Sequence, residues 1–195
     1  MRAAFDAGQR DFGENYVQEA LGKITELADL RTHLRWHLIG PLQSNKAREV
    51  AAQFDWVHSV DRMKLARRLS DLRPPELPPL QVCLQVNVSG EDSKSGVAPG
   101  DALALAREVA ALPRLKLRGL MAIPEPADDL AAQREPHRAL RALLEAMNAE
   151  GLALDTLSMG MSADLEAAVA EGATWVRVGT AIFGSRAAKA EAPDS

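Results

Sequence analysis

The chain has 195 residues, 47% of them hydrophobic and 26% charged, with a formal net charge of −4 and one cysteine, Cys83. That size and balance suit one globular domain with a sizeable core and exclude a disordered chain. Mild acidity leaves no electrostatic footprint for nucleic acid, and no apolar run approaches the roughly 18–20 residues that span a bilayer. A lone thiol cannot close an internal disulfide, so the expectation is a cytoplasmic protein with a buried, inert Cys83 and neither nucleic acid nor membrane as partner.

Met1, Ala4 and Phe5 fall at helical spacing, and Gly8 stands where a helix C-cap belongs. The chain thus opens on a helix that has an end but no N-cap. From there short apolar runs alternate with amphipathic ones. The strand "DFGEN" (11–15) leads to the helix "YVQEALGKITEL" (16–27), then "RWHLIG" (35–40) to "SNKAREVAAQ" (44–53), and "WVHSV" (56–60) to "DRMKLARRLSDL" (61–72). After the rigid, Pro-rich "RPPELPP" come "LQVCLQVNV" (80–88) with "DALALAREVAAL" (101–112), and "LKLRGLMAI" (115–123) with "HRALRALLEAMNAEG" (137–151). "TLSMG" (156–160) precedes "SADLEAAVAEG" (162–172), and "WVRVG" (175–179) is the last strand. Asp61, Asp101 and Ser162 are the expected N-caps, Gly151 and Gly172 the expected C-caps.

Strict β-α alternation means a parallel sheet with helical crossovers. Seven strands are countable where a (β/α)8 TIM barrel has eight, and the headless opening helix places the missing unit first. The expectation is therefore a barrel lacking strand one, as one domain over 1–186, with 187–195 as a disordered tail. The competing doubly wound sheet lacks the Gly-rich turn after an opening strand that would mark it.

In a barrel, chemistry belongs at the C-terminal strand ends. Those ends are rich in Gly, Ser, Asn and Thr, which let backbone N–H groups approach an anion. Ser162 after the sixth visible strand, and Gly179–Thr180 after the seventh, coincide with the usual barrel phosphate site, so a phosphorylated ligand is expected there. Alternation puts Trp175, Arg177 and Gly179 on one face of the last strand. Arg177 cannot shed its proton, so it needs either a core carboxylate or a ligand acceptor. Asn15 could reach a ligand or cap a turn. His37 reads as a satisfied core histidine, Lys94 as a solvated loop lysine, and Met121, Met159 and Met161 as packing. No His/Cys/Asp/Glu cluster has metal-ligand spacing, and no elbow or Cys–His pair suggests acyl chemistry.

Seven blocks in register carry a resemblance: "FGENYVQEA", "WHLIGPLQSNK", "SVDR", "QVNVSGEDSKSGV", "LRGLMAIP", "LSMGMSADLEAAVAEGAT" and "VRVGTAIFG". Together they resemble the pyridoxal 5′-phosphate (PLP) homeostasis protein family, also called the YggS/PROSC family. The resemblance implies the alanine racemase-type barrel, PLP as cofactor, a monomer, and a role in vitamin B6 and amino-acid balance without established turnover. It implies phosphate contacts from Ser162, Gly179 and Thr180, Arg177 facing the pyridine nitrogen, and Asn15 near the ring. It also implies a Schiff-base lysine at the end of the first strand. That position has no counterpart here, and Lys46 and Lys94 match other loop positions. PLP is thus expected to bind weakly or non-covalently, and the open strand edges to permit self-association. Two enzyme alternatives remain: a PLP-dependent racemase, which needs a lysine and a tyrosine as opposed bases, and a sugar-phosphate enzyme using Glu14.

Overall fold

The computed structural model describes residues 1–90 and 95–184. In chain order the elements are α1 (Arg2–Asp6), β1 (Asp11–Glu14), α2 (Val17–Glu26), β2 (Arg35–Leu38), α3 (Ala47–Gln53), β3 (Trp56–Val60), α4 (Met63–Leu72) and β4 (Leu80–Gln85). There follow α5 (Pro99–Ala110), β5 (Leu115–Met121), α6 (Leu130–Ala149), β6 (Thr156–Met161), α7 (Leu165–Ala170), β7 (Trp175–Arg177) and α8 (Thr180–Phe183). The strands form one seven-stranded sheet in sequential order, parallel throughout, so each strand neighbours the next across a helical crossover. β1 and β7 are its edges.

The sheet is curled. His37 of β2 meets Trp175 of β7 with ring centroids 5.0 Å apart, and His58 of β3 lies 2.8 Å from Ser158 of β6. Strands so far apart in order touch only if the sheet closes on itself, which is the TIM-barrel arc with seven strands expected from the alternation.

Two cores result. The outward strand faces, with residues such as Phe12, Trp36, Leu38, Val82, Leu84 and Met159, pack under the helices as one continuous apolar layer. A small inner cluster of Trp56, Cys83 and Met121, flanked by Trp175, fills part of the barrel interior. Cys83 is fully buried, and burial pushes its thiol far above the usual range, as an inert packing residue requires.

Local signals acted as the sequence suggests at the helix ends but not at the starts. Gly8, Gly151 and Gly172 follow their helices with φ of 101°, 94° and 86°, the left-handed turn that glycine allows. The expected N-caps are displaced. α4 is preceded by Arg62, which Asp61 pairs with at 2.6 Å. α5 begins with Pro99 at its first position after Ala98, leaving Asp101 in the first turn. Asp164, not Ser162, stands at the N-cap position of α7, with its carboxylate turned back to Met161 N instead of onto the first helical amides. α6 starts at Leu130 instead of His137, because Asp129 accepts from Ala132 N at 2.9 Å and anchors a first turn that carries the chain through Pro136.

Gly119 marks a close strand contact, since a Cβ there would lie 1.8 Å from the Thr156 carbonyl oxygen of β6. Leu84→Ala, which empties a fully buried site, is expected to cost about 2–5 kcal/mol. Gly119→Ala is expected to destabilise at least as much, because main chain must move. Urea denaturation of both variants measures this; a Gly119→Ala midpoint equal to wild type would contradict the β5–β6 contact.

Candidate ligand-binding site

The polar rim lies where β6 and β7 end. In the turn after β6, Asp164 accepts from Met161 N at 2.7 Å through one carboxylate oxygen and faces His137 Nε2 at 2.8 Å through the other. His137 is fully buried on α6 and pins this turn from beneath. With Asp164 closing the turn, the Ser162 hydroxyl is not needed as a cap. It stands exposed, 3.4 Å from the Thr180 hydroxyl. Thr180 opens α8 after Gly179, and the first amides of a helical turn have no acceptor within it. Two hydroxyls and the leading amides of that turn therefore meet at one corner of the rim. Met161, expected to pack, is 42% exposed beside it, while Met121 and Met159 are buried.

Arg177 rises from β7 into the interior next to this corner. Its Nη1 donates to the carbonyl oxygen and to Oγ of Ser158, both at 2.9 Å, and Nη2 donates to Ala122 O at 2.9 Å. Among the described residues no carboxylate forms an ion pair with it. Burial pushes its pKa down to about 10 and the nearby charge of Asp164 works against that, so the guanidinium stays protonated at neutral pH. The core-carboxylate alternative weighed from the sequence is thus replaced by neutral acceptors.

Ser158 is also the end of a polar chain. His58 Nδ1 lies 2.8 Å from Ser158 Oγ, His58 Nε2 lies 2.9 Å from His37 Nδ1, and His37 Nε2 lies 3.0 Å from an Asp11 carboxylate oxygen. Burial, reinforced by His37 and Arg177, pushes the His58 pKa well down, so its ring is neutral. Burial alone would raise the Asp11 carboxyl, but hydrogen bonds from Arg35 and His37 outweigh it and hold the group far below its ordinary range. His37 is indeed a satisfied core histidine. His58 was not singled out from the sequence, although it sits two residues after Trp56 and so shares its interior face.

The other candidates lie apart. Asn15 is exposed just past β1, and no hydrogen bond among the described residues joins its side chain to Ser162, Arg177 or Thr180. Glu14 points into the helix layer and pairs with Lys23 at 2.6 Å. Lys46 lies 3.7 Å from Glu49. Lys94 and the tail 187–195 fall outside the described residues.

Asp11 yields a pH test. Its folded-state pKa lies below the ordinary 3.8, so its stabilisation is complete above that value and fades as pH falls from it toward the folded value. Asp11→Asn should be less stable than wild type at pH 7, with a gap that narrows once the pH drops through 3.8. Denaturation curves across that window check it; a pH-independent gap would contradict the assignment.

Over residues 1–187 the chain matches the family described as alanine racemase, N-terminal domain. It is 66% identical over 186 residues to the pyridoxal phosphate homeostasis protein of Pseudomonas aeruginosa, covering 95% of this chain and 79% of that protein. Identity to the protein of the same name in Escherichia coli strain K12 is 55% over 184 residues, covering 94% and 79%. Among solved structures it is similar to PipY of Synechococcus elongatus with PLP bound, at TM-score 0.86 and 44% identity, covering 94% of this chain and 85% of that one. An alanine racemase of Clostridium difficile shares the fold at TM-score 0.72 and 13% identity, covering 94% and 47%.

Proposed function

The chain belongs to the alanine racemase N-terminal domain family and, within it, to the pyridoxal phosphate homeostasis proteins, and from that premise we propose that it binds PLP at the β6–β7 rim as a non-catalytic carrier or regulator in vitamin B6 and amino-acid balance. The observation that carries this is the meeting of the Ser162 and Thr180 hydroxyls, 3.4 Å apart, beside a guanidinium that neutral acceptors hold. Ser162, Gly179 and Thr180 take the phosphate through hydroxyl and amide donors, and Arg177 faces the pyridine nitrogen. Asn15, just past β1, is the candidate ring contact.

The donor chemistry fits this ligand. Arg177 has five N–H donors, and three are engaged by Ser158 and Ala122. A cationic donor suits an unprotonated ring nitrogen, which accepts a hydrogen bond and withdraws electrons weakly. When bound, PLP supplies an aldehyde that condenses reversibly with amines. The complex is non-covalent in this reading, since neither Lys23, paired with Glu14, nor Lys46, near Glu49, lies on β6 or β7. The pairing of Glu14 with Lys23 also counts against Glu14 as the base of a sugar-phosphate enzyme. The only tyrosine, Tyr16, sits 55% exposed at the start of α2, a poor place for an opposed racemase base.

The same proposal includes cytoplasmic residence, one domain over 1–186 supported by the unbroken strand order, and a monomer whose β1 and β7 edges remain open to a further strand. No helix among the described residues is long and apolar enough to cross a membrane.

Titrating PLP into the purified chain, followed by absorbance and fluorescence, should give saturable binding that inorganic phosphate competes away. Ser162→Ala and Thr180→Leu should each weaken it about tenfold or more, since donors to a charged oxygen are lost or blocked. Wild-type affinity in Thr180→Leu would contradict the phosphate assignment. Borohydride treatment followed by intact mass measurement should leave the protein unmodified; a stoichiometric adduct on Lys46 or Lys94 would overturn the non-covalent complex.

A further inference from the structure

Five strands each send one polar side chain into the barrel interior: Asp11 from β1, His37 from β2, His58 from β3, Ser158 from β6 and Arg177 from β7. Successive contacts of 3.0, 2.9, 2.8 and 2.9 Å join them into one chain. His37, His58 and Ser158 are 4%, 2% and 0% exposed, so water cannot repair a mismatch within it.

Only one direction gives every proton an acceptor. Arg177 and ionised Asp11 fix the two ends as pure donor and pure acceptor. Arg177 donates to Ser158 Oγ; the Ser158 hydroxyl donates to His58 Nδ1; His58 Nε2–H donates to His37 Nδ1; and His37 Nε2–H donates to Asp11. Reversed, Ser158 Oγ would receive hydrogens from both Arg177 and His58. Its own proton would then have no acceptor among the described contacts.

We propose that Asp11, His37, His58 and Ser158 are a positioning relay for Arg177, which keeps its guanidinium fixed, charged and turned toward the ligand ring. The relay works through the Ser158 hydroxyl. With His58 Nδ1 taking its proton, the oxygen lone pairs face Arg177, and both Nη1 hydrogens are held by Ser158. Without that acceptor the hydroxyl proton turns toward the guanidinium and repels it. The four residues touch no ligand and act only through Arg177. Part of this rests on the PLP assignment above; the tautomer pattern does not.

Two measurements separate them. In the ligand-free chain with 15N-labelled histidines, long-range 1H–15N spectra at pH 7 should show His37 and His58 as neutral Nε2–H tautomers. A charged ring or an Nδ1–H tautomer at either position overturns the relay. The second measurement uses paired substitutions. His58→Asn places an amide oxygen where Nδ1 stood and preserves the acceptor for Ser158, whereas His58→Gln reaches toward His37 and leaves Ser158 without one. His58→Gln and Ser158→Ala should weaken PLP binding about tenfold and shift the absorbance maximum of bound PLP, while His58→Asn stays within about threefold of wild type. Equal loss in the two His58 variants, or none, overturns the relay. If the wild-type chain fails to bind PLP, the assignment of function falls and the tautomers alone decide the relay.

Discussion

Arg177 places a permanent positive charge inside this barrel with, among the described residues, no carboxylate in an ion pair with it, and the neighbouring polar groups are arranged around that fact. An unpaired charge removed from water is expensive, and the structure meets the cost with oriented neutral acceptors: the carbonyl of Ala122 just past β5, the carbonyl of Ser158 within β6, and the Ser158 hydroxyl oxygen. The β6–β7 register shifts between Ser158 and Met161, at the place where Arg177 reaches across to Ser158. A guanidinium held by dipoles keeps its charge uncompensated. It can then give that charge to an acceptor arriving from the rim, which a salt-bridged arginine could not do as fully.

The rim corner depends on a second device, in the helix layer. Glu171, at the end of α7, lies under Arg134, Arg138 and Arg141 of α6 at 2.7, 3.2 and 3.2 Å. The hydrogen bond from Arg134, with further help from Arg138, holds its carboxyl below the ordinary range. Four residues of α6 thus grip α7 at both ends: three arginines at its C-terminus, and His137 through Asp164 at its N-terminus. Because Asp164, not Ser162, holds the N-cap position, the Ser162 hydroxyl is left at the rim beside Thr180. Val176 of the edge strand β7 and Ile182 and Phe183 of α8 after it are exposed.

The fold was legible because the helix layer obeys simple patterning. Phe12, Trp36, Leu38, Val82 and Leu84 alternate as buried, outward-facing residues, and the amphipathic runs between the strands cover them. Boundaries read less well. Asp61, Asp101 and Ser162 are all good capping residues, but a neighbouring arginine, a proline and Asp164 respectively set the actual starts. The rim was legible as strand ends rich in Ser, Gly and Thr. The relay was not, because its links join residues as much as 100 positions apart and only sheet curvature brings them together. A trace existed even so. The face opposite the apolar one reads Asp11, His37, His58, Ser158, Arg177, a polar series on strands that an apolar barrel interior would not tolerate.

A crystal structure of this chain grown with PLP puts these elements into one observation. The phosphate should lie between Ser162 and Thr180, with the ring nitrogen within hydrogen-bond distance of Arg177 while Ser158 and Ala122 still hold that guanidinium. A phosphate bound elsewhere, or Arg177 released from Ser158 to pair with a carboxylate, would contradict the account.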